Sequence, residues 1–211
     1  MKTNTTIKNL PAEQRRAVTV EAVIELAAEK NPASITTAEI AERMQLTQGA
    51  LFRHFPTKDA LWQSVMEWVT AQLLGRIDKV ITTTESPLEA LELMFAAHID
   101  FVAKHPGAPR MMFAELQRPD PTAAKAIAQT MLRHYSDRVG KLLAKGMGEG
   151  IIDPDLDVAA ASVMFIGMVQ GLVMQSMIAG DIAVMLGNAK PLFALYARGI
   201  KHINHEIQSH Q

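Results

Sequence analysis

Apolar residues recur at helical spacing along most of the chain, and no stretch alternates with the two-residue period of a half-buried strand. After Pro11, the residues Val20, Val23, Ile24 and Ala27 fall on one helical face. Two short patterns follow, residues 37–44 and 48–54, separated by the three-residue turn Gln45-Leu46-Thr47. A fourth helix is expected from its cap Thr57 to about Lys79 or Val80, with Leu61, Val65, Trp68 and Leu73 inward. Ser86-Pro87-Leu88-Glu89 joins a cap, a proline at the first helical position and an acid in the first turn, so it starts a helix that Pro106-Gly107 stops. Further helices are expected over 110–117, from Asp120-Pro121 to about Gly146, over 156–179 and over 188–205. The pattern predicts an all-α chain of nine helices, three of them in a small N-terminal domain. Residues 1–12 read as a flexible arm, 13–58 as the small domain and 59–211 as a larger helical domain.

The two short helices carry the most specific signal. Thr36 and Glu39 stand at capping-box spacing, in which the threonine oxygen and the glutamate carboxylate satisfy each other's free backbone amides. Ile40, Ala41 and Met44 face inward from the first short helix, and Leu46, Leu51 and Phe55 answer from the turn and the second. Thr47 caps the second helix and leaves Gln48, Gly49, Ala50, Phe52, Arg53 and His54 on the outward surface. Two short helices joined by a tight turn present the second as a rod that fits the DNA major groove, a helix-turn-helix. Gly49 costs little near a helix start, and its missing side chain permits close approach to a phosphate or base.

The string GALFRHFPTKDALW resembles the GALYxHFxSKExL signature of the TetR family of bacterial transcription regulators. The preceding QRRAVTVEAVIELAAEKN resembles that family's first helix, and the strong likeness runs from about Arg15 to Met66. Three positions depart from the family pattern. Gln45 replaces the usual turn glycine, which places a non-glycine residue in a left-handed conformation. Asn31 replaces the glycine that ends the first helix and is expected to adopt that conformation. Ala27 stands where the family has a bulky aromatic.

Charge refines this picture. The formal net charge is only −1, so a nucleic-acid partner is not announced by the bulk balance. Locally, however, Arg53 and Lys58 are the only formally charged residues over 45–58, and Lys2, Lys8, Arg15 and Arg16 precede them. Thr36, Thr37, Thr47 and Lys58 are expected on the phosphate backbone, and Gln48, Gly49, Ala50 and Arg53 at base edges, with Gln reading adenine and Arg guanine. Phe52 and His54 match positions where, by the resemblance, an aromatic packs on the sugar-phosphate chain and a histidine bonds a phosphate.

The larger domain carries two apolar helices near its end. One shows Val163, Gly167, Gln170, Gly171 and Met174, and the other Phe193, Tyr196 and Ile200. These fit either an intrachain core contact or a dimer interface of four helices, and the resemblance favours the dimer. Thirteen methionines accompany several phenylalanines. They fit ordinary core packing or, as the resemblance implies, a pocket for an apolar or amphipathic effector. The candidate lining is Phe95, His98, Met112, Phe113, Met131, Phe165 and Met168, with Arg133 as a further polar group.

Other chemistry finds no support. Zero cysteines remove disulfides and thiolate metal sites. Asp153, Asp155 and Asp157 alternate as calcium ligands do but lack the glycine and glutamate of a calcium loop, and His202 and His205 lack a third ligand. No catalytic or cofactor motif is present, so no enzyme and no cofactor is expected. The apolar run 158–178 contains Ser162, Gln170, Gln175 and Ser176 and reads as a buried interface helix, so the chain is expected in the cytoplasm. The expectation is a ligand-responsive regulator that represses from a pseudo-palindromic double-stranded DNA operator as a homodimer. A helical small-molecule-binding protein without DNA affinity, and a ligand-independent DNA binder, are the alternatives.

Overall fold

A computed structural model describes residues 11–202. Residues 1–10 of the expected arm, Lys2 and Lys8 among them, and His205 lie outside the described residues, whereas Ala12 already belongs to the first helix. Nine α-helices are present among the described residues: α1 Ala12–Glu29, α2 Thr37–Arg43, α3 Gln48–Phe52, α4 Lys58–Ile81, α5 Pro87–Lys104, α6 Gly107–Gln117, α7 Ala123–Gly148, α8 Val158–Ala179 and α9 Ala183–Ile200. The only β pairing among them is an isolated bridge between Ile152 and Lys201.

The chain forms two compact units. Among the described residues, the first takes 11–75 and 101–132, and the second 76–100 and 133–202. Helix α6 therefore packs in the same unit as the three N-terminal helices. Its first residue, Gly107, lies directly on the α1 backbone near Ile24 and Ala28. Ala27, at the position of the missing aromatic, is fully buried on that side of α1. In the second unit, an aromatic core joins Phe95 of α5, Tyr135 of α7, Phe165 of α8 and Phe193 and Tyr196 of α9.

Several local expectations are corrected. Asn31 is extended, at φ −61° and ψ 125°, and its side chain caps a short 3-10 turn, Pro32–Ser34, by accepting from Ala33 N. Helix α3 ends at Phe52, so His54 lies beyond it in the following turn. Helix α6 starts at Gly107, because Pro106-Gly107 opens it as well as closing α5. Helix α9 starts at Ala183, and Pro191 is carried inside it. Trp68 is half-buried, its ring edge-on to His105 at 5.1 Å.

Helix α8 is long and apolar enough by composition to cross a membrane, with a mean hydropathy of 1.7. Its two faces differ. Ala161, Phe165, Val169, Leu172 and Val173 are buried, whereas Val163, Met164, Met174 and Ile178 are exposed. Helix α8 is thus buried on one side only.

Candidate nucleic-acid interface

Both halves of the capping box form at α2. Glu39 N donates to Thr36 Oγ1, and Thr36 N donates to the Glu39 carboxylate at 2.8 Å. Lys30 adds an ion pair to Glu39, and this hydrogen bond, ahead of those from Thr36, holds the carboxyl at about 2. Arg43 in the last turn of α2 pairs with Glu29 and Glu25 of α1, which fixes α2 against its neighbour.

The turn after α2 follows from one residue. Gln45 has φ 55°, the only positive φ outside glycine among the described residues. In that conformation Gln45 N donates to Glu42 O at 2.9 Å and Leu46 N to Ala41 O at 2.8 Å, satisfying two helix-end carbonyls. The chain then reverses into Thr47, whose hydroxyl accepts from Ala50 N at 3.2 Å and starts α3. Leu51 (2% exposed) and Phe55 (1%) turn inward, so the rest of α3 is forced outward. Gln48, Gly49, Phe52 and Arg53 are exposed, and Ala50 and His54 half-buried.

Thr36, Thr37 and Thr47 share this surface, with Gln48 Nε2 donating to Thr37 Oγ1 at 3.2 Å. A concavity of about 530 Å3 beside α3 is lined by Arg15, Gln45, Thr47, Ala50, Arg53 and His54 among others. Burial first, and then the positive fields of Arg15, Arg16 and Arg53, lower the His54 imidazole from its usual range. Three of the cations in the patch, Arg15, Arg16 and Arg53, thus act on one residue at the exit of α3.

Lys58 departs from expectation. Its ammonium donates to Ile35 O at 2.6 Å and lies 4.8 Å from the Trp62 ring centroid. Burial, and then Arg118, lower its pKa against the opposing pull of Asp59 and Glu39. One proton of the group is committed to the fold, which leaves two for any phosphate. Sequence reading also missed what Arg16 does: it donates to His54 O at 3.1 Å and to Ser64 Oγ at 3.0 Å.

The profile described as bacterial regulatory proteins, tetR family, matches residues 20–65, and that described as tetracyclin repressor-like, C-terminal domain, matches residues 84–174. The chain belongs to the TetR family. The nucleoid occlusion factor SlmA of Alteromonas mediterranea is 30% identical over 98 residues, 46% of this chain and 50% of that protein. SlmA of Vibrio vulnificus is 31% identical over 78 residues, 37% of this chain and 40% of that protein. The chain spans about half the length of the curated relatives it matches. Among solved structures, a TetR transcriptional regulator from Chloroflexus aurantiacus aligns with a TM-score of 0.77 at 15% identity, covering 91% of this chain and 98% of that one. FadR from Bacillus subtilis, in complex with stearoyl-CoA, aligns with a TM-score of 0.75 at 20% identity, covering 86% and 97%.

The remaining candidate residues of this TetR chain separate. Met112, Phe113 and Met131 belong to the first unit, and Phe95, His98, Phe165 and Met168 to the second. Within the second, Phe95 and Phe165 meet edge to face at 5.7 Å, and His98 Nδ1 lies 3.2 Å from the Tyr135 hydroxyl. Burial lowers His98 to about 4 and raises Tyr135. Tyr135 is the polar partner that the sequence left unassigned. Of the expected dimer residues, Val163, Gly167, Gln170, Gly171 and Met174 are exposed along one side of α8. Phe193, Tyr196 and Ile200 are instead buried by their own chain, at 5%, 1% and 3% exposure, because they close the core beneath α8. Leu186, at 49%, and Leu195, at 55%, are the large apolar residues that α9 leaves outside.

Proposed function

We propose that the chain is a ligand-responsive transcriptional repressor that binds a pseudo-palindromic operator as a homodimer and is released by an apolar or amphipathic effector. The observation that carries this reading is the division of α3 and the turn after it, with Leu51 and Phe55 buried and Gln48, Gly49 and Arg53 on the open face. Membership of the TetR family supports it. In this reading Gln48, Gly49, Ala50 and Arg53 meet base edges, while Thr36, Thr37, Thr47, Phe52, His54 and the free protons of Lys58 hold the backbone. The chain works in the cytoplasm and carries out no catalysis.

The exposed apolar side of α8 supports dimerisation. A groove of about 590 Å3 there is lined by Val163, Met164, Gly167, Met168, Gly171, Leu172, Gln175 and Leu192. A two-fold dimer that reads successive major grooves needs its two α3 helices about 34 Å apart, one turn of DNA. The effector site is proposed in the second unit, with Phe95, His98, Phe165 and Met168 as its candidate lining. The stearoyl-CoA bound to FadR supports an amphipathic ligand. Such an effector must bind the released conformation more tightly than the DNA-bound one, since equal affinity shifts nothing. Helix α4, which starts at Lys58 beside the reader, is the proposed lever.

The test is enrichment from a randomised duplex pool, followed by titration of the bound complex with stearoyl-CoA and a panel of apolar compounds. The expected result is a recurring two-fold-symmetric sequence and release by at least one compound. Enrichment of no sequence would remove the DNA-binding reading; enrichment without release would leave a ligand-independent binder.

A further inference from the structure

Helix α3 is held by little of its own. It has five residues, of which Leu51 alone is buried, and a threonine cap at its start. A helix this short owes its stability to tertiary contacts rather than to its own hydrogen bonds. Its pose therefore depends on what grips the chain where it leaves the helix.

That grip comes from α1. Arg16 Nη1 donates to the carbonyl oxygen of His54, two residues past the end of α3. Nη2 of the same guanidinium donates to Ser64 Oγ on α4, and Ser64 is buried at 7% exposure. The guanidinium carbon stands 4.8 Å from the centroid of the Phe55 ring, which is itself buried. One planar group thus ties α1 to the exit of α3 and to α4, stacking on the aromatic between them. Each terminal nitrogen gives a proton to a protein acceptor, which ties this exposed side chain into the fold. A lysine at this position keeps the charge, but a point ammonium cannot reproduce the fork and the stack together.

We propose that Arg16 is a positioning residue for operator recognition, setting the pose of α3 through His54, Ser64 and Phe55. This rests on the DNA-binding reading above. It differs from a role in neutralising phosphate, because positioning affects the preferred sequence while neutralisation affects all sequences alike.

The experiment compares Arg16→Lys and Ser64→Ala with the wild type on two duplexes of equal length: the sequence that the wild type enriches, and a scrambled one. Arg16→Lys is expected to lose about tenfold in affinity for the enriched duplex, from the charge-assisted hydrogen bonds forfeited, with scrambled-duplex affinity and its salt slope unchanged. Ser64→Ala, which leaves every charge in place, is expected to lose about threefold on the enriched duplex alone. Thermal melting is followed for both, and Ser64→Ala carries the test if Arg16→Lys does not fold. Unchanged affinity of either folded variant for the enriched duplex, or equal losses on both duplexes, overturns the positioning role. Failure of the wild type to enrich any sequence overturns the DNA-binding reading and this proposal with it, an outcome distinct from a variant that leaves an established preference intact.

Discussion

Gly107 meets Ile24 so closely that a Cβ on the glycine would stand 1.8 Å from the Ile24 carbonyl oxygen. The same Cβ would lie 2.9 Å from Ala28 N, so the nearest atoms are all backbone and have no flexible end to swing away. Helix α6 thus begins in bare contact with α1, and only glycine fits.

Gly107→Ala should therefore destabilise the first unit by roughly 1–3 kcal/mol or more, since overpacking must move a helix rather than a side chain. Urea denaturation would measure it. An unchanged midpoint would show that α6 yields at no cost. Gly49→Ala is the matched control, with nothing within 4 Å of its Cβ.

At Gln45 the change is expected to go the other way. A φ of 55° is a conformation that side chains with a Cβ adopt at a cost, and the Schellman-type bonds of Glu42 and Ala41 hold it in place. Gln45→Gly should raise stability by about 1 kcal/mol, less what the more flexible unfolded chain takes back. A lower melting temperature in the glycine variant would rule this out.

These two sites mark what the sequence makes legible. The capping box at Thr36 and Glu39 and the turn at Gln45 depend on neighbours within a few residues, and local spacing reveals both. In the sequence Gly107 is only a stop signal for α5, because its other role depends on Ile24, more than eighty positions away. The Arg16–Ser64 bond hides behind the same kind of separation. Phe193, Tyr196 and Ile200 form an apolar stripe that looks the same from the sequence whether a partner or the subunit itself covers it. Asn31 shows the opposite limit: its residue type permits two local roles, and Pro32 behind it selects the extended one.

Arg53 is exposed beside the cavity lined by Arg15 and His54. Its replacement by alanine should cost roughly 1–3 kcal/mol on the enriched duplex and relax the preference at one base position. Binding titrations against all four substitutions at each position would locate it. A uniform loss across every variant duplex would reassign Arg53 to the phosphates.

The His98–Tyr135 pair sets a pH dependence. Burial lowers His98 from 6.5 to about 4, so the folded chain holds this ring neutral where the unfolded chain would protonate it. The stability this confers is complete above about pH 6.5 and is lost as the pH falls through the folded value. The span corresponds to at most about 3 kcal/mol. His98→Gln keeps a hydrogen-bonding group for Tyr135 and removes the titration. The variant should lose less stability than the wild type between pH 7 and pH 4.5 in urea melts; parallel losses would mean that His98 takes no part.

Gly167 and Gly171 give the sharpest test of the dimer. Both are exposed on α8, and a Cβ at either meets nothing within 4 Å in its own chain. Replacing either with a large residue should leave the isolated subunit intact or steadier, because glycine is the poorer helix former by about 1 kcal/mol. Any damage must then come from a molecule outside the chain. Val163 at 71% exposure and Ile178 at 73% flank the glycines and define the apolar strip a second α8 would cover. Gly171→Arg should therefore turn a dimer into a folded monomer in sedimentation, with helical content preserved and affinity for a two-fold operator falling steeply. A variant that remains dimeric would move the interface away from this side of α8, and a wild type that sediments as a monomer would remove it altogether.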